Sequence, residues 1–156
     1  MKSYIFAALS IIFIVFAAYQ LGTSVVHAVP PRNIDCTAEL QIYSEQDSFA
    51  GVWKLHTAGG KGFFRVSGRY NHRAQVGGNL NRTVFFDYTR HQNMLDIVSK
   101  RIIPAITDNA QASELVGLLP RFLYSAATSH SFEIYPQANG YIITGTVLPF
   151  TYCLQA

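Results

Sequence analysis

Apolar and polar residues alternate along most of the chain after residue 34, and this period of two limits the possible folds more than any other feature. Within residues 36–43, for example, Cys36, Ala38, Leu40 and Ile42 alternate with polar neighbours. Successive side chains of a β-strand point to opposite faces, so the pattern predicts a half-buried strand. Further segments with strand-like patterns occupy residues 50–57, 62–70, 82–90, 94–103, 131–135, 140–148 and 149–154.

Short glycine-containing runs separate several of these segments. The runs 58–61 (AGGK) and 139–140 (NG) each predict a tight hairpin between antiparallel strands. The run 77–79 (GGN) predicts another turn. Together the segments favour an antiparallel sheet that is curved, or partly closed into a barrel, so that few strand edges stay exposed.

Residues 104–125 follow a different period. Asp108, followed three positions later by Gln111, resembles a capping box at the start of a helix. Apolar residues then recur at helical spacing, at Ala112, Leu115, Val116 and Leu119. The sequence therefore predicts an α+β domain that is mainly antiparallel β, with seven or eight strands in a curved sheet or partial barrel and one inserted helix.

The N-terminal segment is almost continuously apolar from residue 4 to residue 22, and Lys2 is the only charged side chain before Arg32. A helix needs about 20 apolar residues to cross a bilayer, and the positive charge at its start would place the following chain outside the cytoplasm. We therefore expect an N-terminal transmembrane helix, in a single-pass bacterial inner-membrane protein whose C-terminal domain lies in the periplasm. The alternative is a signal sequence cleaved after Ala28, which would leave a soluble periplasmic protein.

These features divide the chain into three parts. Residues 1–28 are the predicted membrane anchor or signal sequence, and residues 29–33 (VPPRN) are a stiff, proline-rich linker. Residues 34–156 are predicted to form one periplasmic β-rich domain, which is long enough to bury a single core.

The two cysteines, Cys36 and Cys153, lie near opposite ends of this domain. An even pair in an oxidising compartment indicates a disulfide. Such a bond would restrict the unfolded chain by about 4–5 kcal/mol on the loop-entropy relation. The alternative is a pair of buried free thiols.

Composition and motifs argue against several functions. After Lys2 is set aside, eleven Lys and Arg (twelve less one) oppose nine Asp and Glu, and no dense basic run suggests direct contact with nucleic acid. The sequence contains no G-x-S-x-G motif and no Cys/His cluster with zinc spacing, and its carboxylates are spread along the chain in no arrangement that suggests a glycosidase. We therefore expect a protein that is not an enzyme and that uses neither metal ions nor cofactors.

Four histidines of the predicted domain are candidates for pH sensing: His56, His72, His91 and His130. The periplasm follows the external pH, and histidine is the side chain that titrates in the mildly acidic range. The simpler interpretation is that each is an ordinary histidine in a strand or turn.

Aromatic residues are unusually numerous, with eleven Phe, nine Tyr and one Trp. Several alternate on both faces of the predicted strands, which exceeds what one small core needs. We predict that an outer set forms a partner surface or lines a pocket for a hydrophobic ligand. This set consists of Phe63, Phe85, Tyr88, Phe132 and Tyr135. The alternative for each of them is ordinary core packing.

Short segments spaced along nearly the whole chain carry a family resemblance. They are 34–36 (IDC), 62–68 (GFFRVSG), 81–88 (NRTVFFDY), 108–110 (DNA), 132–134 (FEI), 139–145 (NGYIITG) and 150–153 (FTYC). With the N-terminal anchor, they resemble the FidL-like family of small enterobacterial inner-membrane proteins. That family is similar to the PsaF and MyfF type of accessory protein, which accompanies ToxR-like transcriptional regulators.

The resemblance implies a regulatory partner in the same membrane. The expected function is that of a membrane-anchored periplasmic accessory protein, which binds, stabilises and modulates a ToxR-like activator in response to an environmental signal. Two alternatives remain open at this point. One is a stand-alone periplasmic binding module for a hydrophobic small molecule such as a bile salt, and the other is a chaperone for exported fibre subunits.

Overall fold

A computed structural model describes residues 11–16, 19, 33–73, 75–145 and 151–156. The chain divides into two units, Met1–Pro30 and Pro31–Ala156. In the first unit, residues 11–16 and 19 are helical. Among the described residues, no helix has the length and apolar character needed to cross a bilayer. Most of the segment for which we predict a transmembrane helix, and the possible cleavage site after Ala28, lie outside the described residues.

The second unit is a closed barrel of eight antiparallel strands, in which each strand pairs with the next along the chain and the last pairs with the first. The strands are β1 (Ile34–Ser44), β2 (Asp47–Ala58), β3 (Lys61–His72), β4 (Gln75–His91), β5 (Met94–Pro104), β6 (Ser129–Gln137), β7 (Gly140–Gly145) and β8 (Thr151–Gln155). The prediction of a mainly antiparallel β domain is confirmed. The sheet is fully closed rather than partly closed, because β8 pairs with β1.

The inner face of the barrel is filled by large apolar side chains. Trp53, Phe64, Phe86 and Phe132 are each at most 2% exposed. Their rings are in contact: the centroid of Phe64 lies 5.1 Å from that of Trp53, 5.2 Å from that of Phe86 and 5.4 Å from that of Phe132. An eight-stranded barrel is just wide enough for side chains to fill it. The predicted alternation therefore produces a solid core.

The closure between β1 and β8 is short, and the disulfide lies at it. Two residue pairs join the strands, Cys36 with Gln155 and Thr37 with Leu154, in the part of the chain that the structure describes. Cys36 and Cys153 form the predicted disulfide, with their Cα atoms 5.4 Å apart. Both residues are fully buried. The bond therefore links the first and last strands at the point where the barrel closes.

Two predicted hairpins are present and one predicted turn is wrong. Ala58 pairs with Lys61 across the first hairpin, and Gln137 pairs with Gly140 across the other. The run 77–79 lies inside β4 instead of forming a turn. The first of its two glycines is needed for close packing, since a Cβ atom at Gly77 would lie 2.6 Å from Cδ2 of Tyr70. The described parts of the last two strands agree with the prediction, and residues 146–150, which the prediction also assigns to them, lie outside the described residues.

The predicted helix is almost entirely replaced by an irregular connection between β5 and β6, residues 105–128. Only Ala112–Leu115 forms an α-helix, α1, and Arg121–Leu123 forms one turn of 3-10 helix. Gln111, not Asp108, occupies the N-cap position of α1 and makes no side-chain capping bond, while the Asp108 carboxylate binds Arg82. Gly117 has a φ of +83°, a left-handed conformation that ends a helix.

Side chains of this connection nevertheless pack into the barrel. Five of them are at most 3% exposed: Leu115, Leu118, Leu119, Phe122 and Leu123. The ring of Phe122 lies 5.3 Å from that of Phe64 and 5.5 Å from that of Phe132, both on the inner face. Val116, which the helical stripe places inside, is 62% exposed. The connection thus completes the core without forming the predicted helix.

Candidate interaction surface

Five outward-facing residues form a continuous row across β1, β2, β3, β4 and β5. Asp35 is directly opposite His56, His56 is opposite Phe63, Phe63 is opposite Phe85, and Phe85 is opposite Arg101. Each pair is in register across one strand boundary. We call these five residues the cross-strand row. Pairs that face each other directly across an antiparallel ladder are close enough to interact, so the row is a single connected surface.

One end of the row is an ionic cluster around Asp35. The carboxylate oxygen Oδ1 lies 3.0 Å from Nζ of Lys54, and Oδ2 lies 3.1 Å from Nδ1 of His56. The hydrogen bond from Lys54, assisted by that from His56, holds the pKa of Asp35 below its usual 3.8 against the opposing effect of desolvation. All three side chains are about 40% exposed, so solvent screens both contacts of Asp35 and their contribution to stability is small.

The centre and the other end of the row are aromatic. The His56 and Phe63 rings stack with centroids 5.2 Å apart, and the Phe63 and Phe85 centroids are 6.2 Å apart. Cζ of Arg101 lies 4.9 Å from the centroid of Phe85, a cation–π contact. Phe63 and Phe85 are partly exposed. The rings are therefore held in fixed positions by their neighbours and still present surface to solvent.

The five predicted surface aromatics do not come together. Phe63 and Phe85 are neighbours in the cross-strand row. Tyr88 packs against the core beside Phe86, and Phe132 is 1% exposed inside the barrel, so neither contributes to this surface. Tyr135 is 40% exposed on β6, where its hydroxyl donates to Glu133 Oε2.

The four histidines are also dispersed. His56 belongs to the cross-strand row, and Nδ1 of His72 lies 3.1 Å from Oδ1 of Asp47. His91 is exposed at the end of β4. His130 is the most enclosed, since its ring lies 4.6 Å from that of Phe132 and 5.1 Å from that of Phe122. The histidines therefore form no shared titrating cluster.

The enclosed position of His130 predicts a pH dependence of domain stability that can be measured. Burial lowers the pKa of His130 below its ordinary 6.5, and its Nε2 atom is buried without a hydrogen-bond partner among the described residues. The unfolded chain then binds this proton more readily than the folded chain, so the free energy of unfolding should fall as pH drops below 6.5. Urea unfolding at a series of pH values should show a shallower decrease for His130→Gln.

The matched control for this prediction is His91→Gln, because His91 lies exposed at the end of β4. Its profile between pH 7 and pH 5 gives the effect of removing a surface histidine, with which the profile of His130→Gln is compared. Identical profiles for wild type and His130→Gln would show that His130 does not titrate differently in the folded state.

Two buried polar contacts are absent from the sequence-based prediction. Arg82 is 8% exposed, and its Nη2 atom donates to Oδ1 of Asp108 at 2.6 Å. Tyr70 is 1% exposed, and its hydroxyl donates to the carboxylate of Glu114. Burial, and to a smaller extent this hydrogen bond, raise the pKa of Tyr70 to about 12. Arg82 occupies an inward position of an alternating strand, and a charge at such a position indicates a buried partner.

The described surface offers shallow, open grooves. One of them has a volume of about 710 Å³ and runs beside the closure, where Thr37, Glu39 and Tyr152 are among its lining residues. Within the described ranges, no three His, Cys, Asp or Glu side chains are grouped so as to hold a metal ion.

The fold and this surface define a small, disulfide-closed β-barrel domain with a filled interior. The chain matches the family model of the YqeJ C-terminal domain over residues 33–153 and belongs to that family. The match names neither the FidL-like family that the short segments resemble nor a regulatory partner. No curated protein matches the chain, and no solved structure matches it.

Proposed function

We propose that this chain is a membrane-anchored periplasmic accessory protein, which binds, stabilises and modulates a ToxR-like membrane-bound transcriptional activator in response to an environmental signal. The apolar N-terminal run and the disulfide support an exported domain held at the inner membrane. The FidL-like resemblance supports the choice of partner. The chain would contact the regulator's periplasmic domain and no nucleic acid.

The observation that carries the proposal is the filled barrel interior beside an ordered outer surface. Inward-facing rings occupy the space in which many barrels hold a ligand. The groups that could recognise another molecule are on the outside, in the cross-strand row. This arrangement favours an interaction domain over a binding module for a hydrophobic small molecule such as a bile salt, because such a molecule would have to displace core side chains to enter the barrel.

The proposed mechanism needs only mass action. A partner that binds the folded form of the regulator stabilises that form and reduces the population open to proteolysis. If both proteins are anchored in one membrane, their effective concentration is high, so a weak intrinsic affinity is sufficient. An environmental signal would act by changing this association.

The test begins by looking for a neighbouring gene that encodes a winged-helix protein with one membrane span, and then measures the half-life of that regulator. We expect the regulator to disappear several-fold faster after synthesis is stopped in cells that lack the chain, and to recover when the chain is supplied from a plasmid. An unrelated single-span membrane protein should keep its half-life in both strains. An unchanged half-life and activity of the regulator would refute the proposed function.

A further inference from the structure

We propose that the outer face of β1–β5 around the cross-strand row binds an acidic protein surface that carries an exposed apolar side chain. This inference rests on the proposed function to the extent that the regulator's periplasmic domain is the expected source of that surface. We call this region the basic face. It consists of the cross-strand row together with Lys54, Lys61, Arg65, Asp87 and Lys100.

The charge of the basic face calls for an acidic partner. It contains five Lys or Arg side chains and two carboxylates, Asp35 and Asp87. Both carboxylates already have a cation: Asp35 has Lys54 at 3.0 Å, and Asp87 has Lys100 at 3.3 Å. Lys61 and Arg65 are exposed and form no ion pair with the described residues. They are therefore available to carboxylates of another molecule.

The aromatic centre of the basic face is ordered before anything binds. Phe63 is held between the rings of His56 and Phe85, and Arg101 covers Phe85. Fixing a side chain in advance reduces the entropy lost on association. Aromatic residues and arginine are also the types enriched at the centres of protein interfaces. An apolar side chain of the partner placed on the two Phe rings would be surrounded by cations.

The shape of this region favours a protein over a lipid bilayer. A group that enters a membrane interface buries its apolar face about 5–10 Å deep. Phe63 and Phe85 lie within strands on the wall of the barrel and are only partly exposed, so they do not project far enough to insert. The nearest hairpin tip carries Gly59 and Gly60, which offer no apolar side chain.

The area of the basic face predicts a weak contact. Strands spaced about 4.8 Å apart give roughly 20 Å across β1–β5, and three rows of outward residues span roughly 14 Å along the strands. An interface of a few hundred Å² per partner belongs to the small, transient class. Tethering in a common membrane would compensate for this, so the interaction is best measured in cells.

The first test is photocrosslinking of the full-length chain in cells, with a benzophenone amino acid replacing Phe63 in one strain and Tyr135 in another. Tyr135 is the control because it is an exposed aromatic residue three strands away on β6. We expect a crosslink from position 63 to an acidic segment of the regulator's periplasmic domain, and at least fivefold less from position 135. Crosslinks to lipid only, to a second copy of this chain, or to nothing would overturn the inference.

The second test reverses charges without touching the core. We expect Lys61→Glu combined with Arg65→Glu to reduce the crosslink from position 63 about tenfold or more, because it places like charges across the interface. The same reversal at Arg69, exposed on the same strand and about 13 Å from Arg65, should have little effect. Equal effects of the two variants, at matched melting temperatures, would show that the basic face is not the contact.

The outcomes separate this inference from the proposed function. If deletion of the chain shortens the half-life of the regulator but the Lys61→Glu/Arg65→Glu variant protects it like wild type, the function stands and the basic face is not its site. If deletion leaves the regulator unchanged while position 63 crosslinks to an acidic segment of another identified protein, the function fails and the surface stands.

Discussion

Replacement of both cysteines by alanine is expected to lower the free energy of unfolding by about 4–5 kcal/mol, measured by urea denaturation under oxidising conditions. The bond between Cys36 and Cys153 closes a loop with a sequence separation of 117 residues, and long loops give the largest loss of unfolded-state entropy. The whole stability of a domain of this size is about 5–15 kcal/mol. The reduced protein should therefore be close to unfolding at 37 °C.

The position of the bond adds to this expectation. In the described residues, β8 pairs with β1 at two residue pairs, whereas β1 and β2 pair along their whole length from Ile34–Thr57 to Ser44–Asp47. Within the described residues, the closure is the shorter of the two ladders that adjoin β1, and the disulfide crosses it. Loss of the bond should expose the edges of both strands as well as weaken the fold.

The control is the wild-type chain in a reducing buffer, which should match the double alanine variant. Alanine is preferred to serine because both sites are fully buried, and a buried serine hydroxyl without a hydrogen-bond partner would itself destabilise the fold. A difference below about 1 kcal/mol between oxidised wild type and the double variant would contradict the role assigned to the bond, given the loop length.

The second large effect is expected at the buried ion pair. Arg82→Met should destabilise the domain by about 3–5 kcal/mol, because it leaves the Asp108 carboxylate buried without its cation. Nε and Nη2 of Arg82 donate to the two carboxylate oxygens at 2.8 and 2.6 Å, and Nη2 also donates to the carbonyl of Ala110 at 3.2 Å. The side chains of Arg82 and Asp108 are 8% and 2% exposed, so water cannot replace these bonds.

A double-mutant cycle distinguishes the pair from its surroundings. Asp108→Leu alone should be costly, because it leaves Arg82 buried and unpaired, while Arg82→Met combined with Asp108→Leu should recover part of the loss. Additive effects of the two single substitutions would show that the side chains do not stabilise each other. Urea unfolding at pH 7 is the measurement.

The pH dependence of the same pair has a definite sign. Burial favours the neutral form of Asp108, but hydrogen bonds from Arg82 and from the backbone of Asn81 and Ala110 outweigh it and lower the pKa of Asp108 below 3.8. A carboxylate with a lowered pKa contributes its full stability above its unfolded pKa and loses it as pH falls through the folded pKa. This contribution should therefore persist at pH 5 and decline below about pH 3.8, and Arg82→Met should lack it.

Sequence reasoning was effective where the signal is local. Alternation identifies the inner residues of β1, such as Cys36 and Leu40, because side-chain direction depends only on neighbouring residues. Closure of the barrel depends on contact between the first and last strands, which no local pattern encodes. The helical stripe failed for a similar reason. Asp108 is used by Arg82, 26 residues earlier in the chain, and a capping box cannot show that competition.

The cross-strand row was half predictable. Phe63 and Phe85 are prominent outward aromatics in the sequence, but Asp35 and Arg101 join them only through the summed register of four strand pairings. The last of these pairings contains a bulge between Phe85 and Phe86, where Phe86 pairs with Ser99 and Phe85 with Arg101. Without that extra residue, Lys100 would be opposite Phe85. Bulges of this kind shift a register by one position and leave no clear sequence signal.

The placement of the disulfide also determines how the domain would respond to mechanical tension. Cys36 lies two residues after the start of β1, and Cys153 lies three residues before Ala156. A pulling force applied between residues 33 and 156 would pass through the sulfur–sulfur bond and bypass residues 37–152. The hydrogen-bonded ladders would carry little of the load, so the barrel would resist extension by covalent strength rather than by the strength of its strand pairing.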